Sequence, residues 1–252
     1  MAKGKQHIRN VVWEKMEKLK IGRFPLPLKN RIPNFKGAER AAYHLTQLEV
    51  YKEAKTAKVN PDAPQLPLRT QVLIDGKTLL VPTPRLRAGF IQIKPEWVPP
   101  GEERKAASLR HMLTYGREIP LTEIPPIDLI VVGSVAVNRD GRRVGKGEGY
   151  ADREYAILRE LGHPPLPVVT TVHSIQVVED PIPIDSYDLT VDFIVTEQGV
   201  IATHSPYPKP EGIDWSRVTD EEKEAMPVLL DVWQWRQSRQ SVKEGAKEDE
   251  HS

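Results

Sequence analysis

The chain has no cysteine and few aromatic residues, and these absences narrow its chemistry. Phenylalanine, tryptophan and tyrosine together make up 6% of its 252 residues. The lack of cysteine excludes a disulfide framework, a thiolate nucleophile and a zinc ion held by sulfur ligands. Seven histidines are present, but no two of them have the H-x-x-x-H spacing of a helical zinc site. The sequence therefore offers no support for a zinc centre.

Long apolar runs and a net charge are missing as well. No stretch approaches the roughly 20 apolar residues that cross a bilayer, and the basic N-terminal segment lacks the apolar core of a signal peptide. A formal net charge of +1 gives no overall attraction to nucleic acid or an anionic membrane. There is no strongly basic patch and no aromatic-rich RNA-recognition motif. We expect a soluble cytoplasmic protein, a monomer or homodimer without nucleic-acid or membrane partners.

The spacing of apolar residues and prolines predicts several helices in the N-terminal half and one near the C-terminus. Thr219 and Glu222 have the spacing of a capping box that begins the late helix. The predicted elements of the N-terminal half are a helix over residues 5–20, an extended connector over 23–35, a helix over 38–57, a proline-punctuated loop from 58, a short helix over about 68–74 ended by Gly76, and irregular structure with a short helix over 84–126.

Compact apolar runs predict the strands of a sheet. The strongest run is "IDLIVVGSVAV", residues 127–137, which is β-branched and nearly continuous, as is typical of a strand covered on both faces. Strands separated by helical stretches predict an α/β domain with a parallel or mixed sheet. We expect this domain to span residues 1–235, with a charged, disordered tail over 236–252. The other predicted strands are "KTLLVPT", "LPVVTTV", "LTVDFIVT" and "GVIATH".

A glycine-rich segment, "RRVGKGEGYADREYAIL", follows the strongest strand and precedes a predicted helix. Its glycines at 145, 147 and 149 match neither of the two best-known phosphate loops in spacing. A bare G-x-G-x-G pattern is equally compatible with a solvated hairpin or strand-to-helix turn. The order of strand, turn, glycines and helix favours an anion site, because backbone N–H groups and a helix N-terminus attract phosphate there. Arg143 and Lys146 would add full positive charges.

These residues resemble the 5-formyltetrahydrofolate cyclo-ligase (methenyltetrahydrofolate synthetase) family, whose motif runs R-[LI]-G-x-G-x-G-[YF]-[YF]-D. "KQHIR" is similar to the family's opening pattern and supplies Lys5 and Arg9, and "IPIDSYDLTVDFIVT" is similar to its closing pattern and supplies Asp188 and Asp192. The segments "RIPNFKGAERAA" and "LLVPTPRLR" resemble the methenyltetrahydrofolate synthetase domain-containing branch. The matches to the glycine motif are Arg143, Gly145, Gly147, Gly149, Tyr150 and Asp152.

The resemblance implies a fold and an activity. The fold would be a three-layer αβα arrangement with a mostly parallel central sheet, as in ribose-phosphate isomerases and CoA transferases. The activity would be the ATP- and Mg²⁺-dependent cyclisation of 5-formyltetrahydrofolate to 5,10-methenyltetrahydrofolate, with release of ADP and phosphate. The partners would then be a nucleotide and a reduced folate.

The resemblance also implies site residues. Lys5, Arg143 and Tyr150 would be catalytic, Asp152 and Asp192 would hold the magnesium, and Tyr150, Gln65 and Arg85 would contact the folate. Asp188 is expected in a turn or cap, and Arg85 is alternatively part of a solvated face. The ATP-binding residues would be Lys5, Arg9, Arg143, Gly145, Lys146, Gly147, Glu148, Gly149, Tyr150 and Asp152.

Two departures from the family pattern leave an alternative open. Ala151 stands where the enzymes usually carry a second aromatic residue, and no glutamate lies between Glu53 and Glu96, where the enzymes have a pterin contact. Asp62 or Gln65 could substitute for that glutamate. The alternative is a nucleotide-binding regulatory or interaction protein of the same fold without the folate chemistry.

Overall fold

A computed structural model describes residues 4–249 of the chain, with side chains through residue 241. The described residues form nine α-helices and ten strands, joined by short 3₁₀ turns. The helices are α1 (Lys5–Lys18), α2 (Ala38–Thr46), α3 (Glu49–Lys52), α4 (Leu66–Ile74), α5 (Glu103–Ala106), α6 (Met112–Tyr115), α7 (Tyr150–Glu160), α8 (Asp220–Ala225) and α9 (Val228–Asp249). The strands are β1 (Thr56–Val59), β2 (Thr78–Pro82), β3 (Phe90–Ile93), β4 (Arg117–Ile119), β5 (Leu129–Val132), β6 (Ala136–Val137), β7 (Arg143–Val144), β8 (Val168–Thr171), β9 (Phe193–Thr196) and β10 (Gly199–Ala202).

Eight of these strands form one sheet in the order β10-β9-β8-β5-β1-β2-β3-β4. The five central strands, from β9 to β2, are parallel to one another, and antiparallel strands extend both edges. The strands β6 and β7 form a separate antiparallel ribbon. Because parallel strands share a direction, the carboxyl ends of β1, β2 and β5 lie side by side, and α/β proteins bind ligands at these strand ends.

Helices cover both faces of the sheet. Leu129 and Val131 of β5 pack in a cluster with α2, α4 and α6, whereas Ile130 and Val132 pack in a cluster with α7 and α9. This alternation follows from the pleat of a strand, which points successive side chains to opposite faces. A third cluster packs α1 against α2 and the β6–β7 ribbon. The predicted mostly parallel, three-layer αβα fold is confirmed.

The structure differs from the predicted elements in the first central strand. A helix was expected over residues 38–57, followed by a loop, but the helical residues end at Lys52 and β1 occupies Thr56–Val59. This strand is only four residues long and carries a lysine, Lys58, in its middle. Both features hide a buried strand from periodicity, because such strands usually show as continuous apolar runs.

Two further differences lie at the edge of the sheet and in the last helix. The expected irregular stretch over residues 84–126 contains the antiparallel strands β3 and β4. The last helix, α9, continues through residues 236–249, where a disordered tail was expected. The buried residues Val228, Leu229 and Val232 pack its first turns on the core. Extending a helix that has already formed costs much less free energy than nucleating one, so the polar residues that follow continue the helix. Residues 250–252 lie outside the described part.

Candidate functional site

A cleft of about 860 Å³ opens at the carboxyl ends of β1, β2 and β5. The loops after these strands line it with Asn60, Thr83 and Gly133. The first helix and the start of α7 close it from the other side. We call one part of its wall the cationic end, which consists of Lys5, Arg9, Arg143 and residues 145–149. We call another part the floor, which consists of Asn60, Asp62, Gly133 and Glu154.

The segment 145–149, which we call the glycine loop, joins the β6–β7 ribbon to α7. Gly147 has φ +109° and Gly149, the N-cap of α7, has φ +70°, which are backbone conformations that residues with a side chain rarely adopt. A Cβ on Gly147 would also lie 3.5 Å from the guanidinium carbon of Arg9. The predicted order of strand, turn, glycines and helix is therefore present, and the loop leads directly into a helix N-terminus.

Cations from distant parts of the chain meet at this loop. Arg9 lies on α1 and its Nε donates a hydrogen bond to the carbonyl oxygen of Gly145 at 2.7 Å. Burial lowers the pKa of Arg9, and the positive charge of Arg143 lowers it further. The two guanidinium groups repel each other, and an anion bound between them would offset this repulsion.

Arg143 is buried and its guanidinium is held by the cleft wall. It donates to the Gly133 carbonyl oxygen at 3.1 Å, to the Ser134 hydroxyl at 3.3 Å and to Asp152 Oδ1 at 3.1 Å. These bonds fix both the guanidinium plane and the carboxylate of Asp152. Arg143 thus links the end of β5 to the first turn of α7.

Lys5 and Lys146 both have acidic partners. Lys5 Nζ lies 2.6 Å from Asp188 Oδ2 and 3.2 Å from Asp185 Oδ2. Burial lowers the pKa of Lys5, but its contacts with these two aspartates outweigh burial and raise the pKa overall. Lys146 pairs with Glu148 at 3.1 Å on a more exposed part of the loop. The predicted ATP-binding residues are therefore gathered around one loop.

Of the two predicted metal ligands, the structure brings only Asp152 to the cleft. Asp192 precedes β9 and lies at the amino ends of the parallel strands, where its Oδ2 accepts from the Val168 amide at 2.8 Å and its Oδ1 pairs with Lys209 at 2.7 Å. The structure therefore does not bring the two predicted ligands together. The side chain of Asp192 is only partly buried, and its charge is balanced there by the ammonium group of Lys209.

Asp188, expected only in a turn or cap, lies in the cleft beside Asp152. It does cap a turn, because its Oδ2 accepts from the Asp185 amide at 2.7 Å, and it also binds Lys5. Burial raises the pKa of Asp152, Arg143 opposes this, and the charge of Asp188 adds to the rise. The described hydrogen bonds to Asp152 fall on Oδ1, from Arg143 and the Leu189 amide, so Oδ2 is available to a cation.

The predicted folate contacts occupy different environments. Tyr150 and Arg85 line the cleft, and Arg85 has a left-handed backbone with φ +54°. Gln65 is fully buried behind the cleft wall, where its Nε2 donates to the Thr171 hydroxyl at 2.9 Å and its Oε1 has no hydrogen-bond partner among the described residues. A Cβ on Gly133 would lie 3.0 Å from both Gln65 Oε1 and Asp62 Oδ2.

Sequence reasoning missed a buried ion pair at the floor. Lys58 of β1 and Glu154 of α7 are 1% and 4% exposed and form a close salt bridge. Lys58 Nζ also donates to Asn60 Oδ1 at 2.9 Å. A lysine inside an otherwise apolar four-residue run was a signal that a buried counter-ion exists, although not of its identity.

The cleft holds no cluster of three or more histidine, cysteine, aspartate or glutamate side chains suited to a metal, within the residues that the structure describes. Two carboxylates suffice for magnesium when phosphates and water complete its shell. None of the helices among residues 4–249 combines the length and apolarity that a bilayer crossing requires.

The family model for the 5-formyltetrahydrofolate cyclo-ligase family matches residues 2–197. Methenyltetrahydrofolate synthase domain-containing proteins from Bos taurus and Homo sapiens are 49% and 45% identical over 233 residues, in each case 89% of this chain and 60% of the relative. The chain thus spans about 60% of the length of these relatives.

The NMR structure of Aquifex aeolicus 5,10-methenyltetrahydrofolate synthetase aligns with a TM-score of 0.51 at 22% identity, over 81% of this chain and 95% of that one. This likeness supports the fold. The family model, the relatives and the glycine motif agree with one another, and the resemblance predicted from the motif is confirmed. The chain belongs to the 5-formyltetrahydrofolate cyclo-ligase family.

Proposed function

We propose that the chain binds ATP with Mg²⁺ at the cationic end and closes 5-formyltetrahydrofolate to 5,10-methenyltetrahydrofolate, releasing ADP and phosphate. The observation that carries this proposal is the convergence of Lys5 and Arg9 from α1 with Arg143 around a glycine loop at a helix N-terminus. Such a group of cations and N–H donors neutralises and orients phosphates. Family membership supplies the reaction class.

Asp152 and Asp188 would hold the magnesium. The fit rests on the chemistry of the donors, because magnesium is a hard cation that prefers carboxylate and phosphate oxygens. Asp152 keeps Oδ2 free of hydrogen bonds within the described residues, and Lys5 now neutralises Asp188. When bound, the ion would neutralise negative charge on the phosphates of ATP as the γ-phosphoryl group is transferred.

The reaction itself requires positioning more than covalent help from the protein. The formyl oxygen attacks the γ-phosphorus, ADP leaves, and an imidate-like phosphate forms. N10 then attacks the same carbon, phosphate departs and N10 loses its proton, which closes the ring. Lys5 and Arg9 would bind phosphate oxygens, the N–H groups of residues 145–149 would donate to them, and Arg143 would hold Asp152 in place.

The other walls of the cleft suit a flat ring system. Its apolar side chains offer close contact, and Tyr150 at the start of α7 also lines the cleft. The guanidinium of Arg85 would meet polar groups of the folate, whereas Gln65 is fully buried and does not line the cleft. The apolar lining residues include Pro25, Ile32, Pro61, Leu66, Pro84 and Leu109.

One experiment separates the proposal from its alternative. Purified protein is mixed with MgATP and 5-formyltetrahydrofolate, and the absorbance of the methenyl product is followed, while calorimetry measures the binding of ADP and of the folate. Product formation that Arg9→Met abolishes supports the proposal, and Arg40→Met, a substitution on an exposed surface of α2, serves as the matched control. Tight ADP binding without product or folate binding would instead identify a nucleotide-binding protein without the folate chemistry.

A further inference from the structure

A buried ion pair beside the cleft is not used by the phosphate chemistry. Its acidic member, Glu154, lines the cleft five residues after Gly149, the last residue of the glycine loop, and Lys58 donates to Oε2 of this carboxylate. Its Oε1 has no hydrogen-bond partner among the described residues, so this oxygen is open to a ligand. Glu154 therefore presents half of a buried carboxylate to the cleft.

Lys58 lies behind the cleft wall and orients the side chains of Glu154 and Asn60. It is 1% exposed and does not line the cleft, whereas both of its partners, Glu154 and Asn60, do. By donating to Glu154 Oε2 and Asn60 Oδ1, Lys58 fixes which atoms of those side chains remain free. The atoms left over are the carboxylate oxygen Oε1 of Glu154 and the amide nitrogen of Asn60.

Stability alone does not account for such a pair. A buried salt bridge loses the hydration of two ions, and apolar residues of similar size often stabilise a fold as well or better. Burial raises the pKa of Glu154, with the ammonium of Lys58 opposing that rise. The cost of keeping a carboxylate here is understandable if the carboxylate meets a ligand.

The neighbours of Glu154 on the floor point to the kind of ligand group. Asp62 also lines the cleft, and its Oδ2 would lie 3.0 Å from a Cβ on Gly133, so a second carboxyl group stands on this part of the wall. A planar ring with N–H donors on one edge matches the carboxylate of Glu154, because the free oxygen Oε1 then gains the hydrogen bond that it lacks.

We propose that Glu154 accepts N–H donors from the 2-amino-4-oxopyrimidine edge of the bound reduced folate, and that Lys58 is the positioning residue that holds Glu154 and Asn60 for this contact. The inference rests on the proposed function, since it names the residues that recognise the ring of that substrate. It also supplies a recognition carboxylate from α7, although the sequence has none between Glu53 and Glu96.

The test uses a variant that removes the whole pair, Lys58→Met with Glu154→Leu. Calorimetry measures the binding of ADP, of 5-formyltetrahydrofolate and of an analogue that lacks the 2-amino group. We expect ADP affinity to be unchanged and folate affinity to fall about 10- to 100-fold, the effect of losing hydrogen bonds to a charged acceptor. Wild-type protein should prefer the amino form, and the double variant should bind both ligands equally.

Two further variants complete the design. Glu154→Gln keeps the shape of the side chain and should lose part of the discrimination between the two ligands, which gives a readout if the double variant does not fold. Arg153→Met is the matched control, because Arg153 lies beside Glu154 on α7 but pairs with Glu222 at 2.6 Å and does not line the cleft. Its preference for the amino form should equal that of the wild type.

The outcomes distinguish the two proposals. If wild-type protein binds the folate and the variants at Glu154 discriminate between the ligands as it does, the assignment of Glu154 is overturned while the proposed function stands. If wild-type protein binds ADP but no folate, the proposed function fails and the assignment fails with it. Loss of discrimination in the variants at Glu154, with ADP binding and the Arg153 control intact, supports the inference.

Discussion

The cationic end and the floor of the cleft are built in different ways. At the cationic end, Arg143 and the glycine loop are adjacent in sequence, and only α1 comes from elsewhere. At the floor, Lys58 and Glu154 are 96 residues apart and meet through the packing of a strand against a helix. The first region is a mostly local motif of a kind suited to phosphate groups, and the second is a tertiary arrangement. If the proposed function is correct, recognition of the substrate ring depends on the floor.

The largest effect should come from breaking the floor pair on one side only. Lys58→Met leaves Glu154 buried without its counter-ion, and we expect the free energy of unfolding to fall by about 3–5 kcal/mol at neutral pH. Adding Glu154→Leu should restore most of it. Urea unfolding of the two variants and the wild type checks this, and a Lys58→Met variant as stable as the wild type would show that the pair is not closely coupled.

The same variant should respond to pH in a defined direction. Burial already raises the pKa of Glu154 in the folded state, and removal of Lys58 takes away the charge that opposes this rise. A folded-state pKa above the unfolded value means that the folded state keeps a proton that the unfolded state loses as the pH rises through about 4.5. The stability deficit of Lys58→Met should therefore be smaller at pH 5 than at pH 8.

The next effect concerns the glycine loop. Gly147→Ala forces a side chain into a backbone with φ +109° beside Arg9, so we expect roughly 1 kcal/mol of lost stability and a clear loss of ADP affinity. Gly101→Ala, at φ +89° with open space around it, should carry a similar stability cost. Its ADP affinity should equal that of the wild type; equal losses in both variants would contradict a role for the loop.

Substitutions of the two aspartates of the closing motif should have different effects, because the two residues lie at opposite ends of the parallel strands. Asp188→Asn should weaken the Mg²⁺-dependent part of ADP binding about tenfold, the effect of one charge-assisted contact of roughly 1.5 kcal/mol. Asp192→Asn should leave that part unchanged, since Asp192 pairs with Lys209 at the opposite edge. Titrations of ADP with and without Mg²⁺ measure both, and the reverse pattern would restore Asp192 as the ligand.

The smallest effect should come from Lys146→Gln. Its pair with Glu148 is partly exposed, so stability should change by less than about 0.5 kcal/mol. Loss of one positive charge near the phosphates should reduce ADP affinity modestly, and mostly at low salt, where screening is weak. Calorimetry at two salt concentrations checks this, and an effect independent of salt would argue against an electrostatic role.

The sequence allowed the central strand and the glycine loop to be predicted because both show as local patterns, whereas Lys5 and Arg9 were predicted only through the family resemblance. The run over residues 127–137 and the glycines that follow it identify the central strand and the loop without knowledge of distant contacts. The strand β1 escaped prediction because the partner that neutralises Lys58 is far away in sequence. Asp188 and Asp192 lie four residues apart, and no local pattern states at which edge of the sheet each of them falls.

The helix α7 carries Asp152 in its first turn and Glu154 two residues later, and a helix rises about 1.5 Å per residue. A shift of this one rigid element would move a candidate metal ligand and a candidate ring contact by the same amount. Occupation of either part of the cleft would consequently pre-order the other, so nucleotide and folate should each bind more tightly in the presence of the other. By thermodynamic linkage the two gains must be equal.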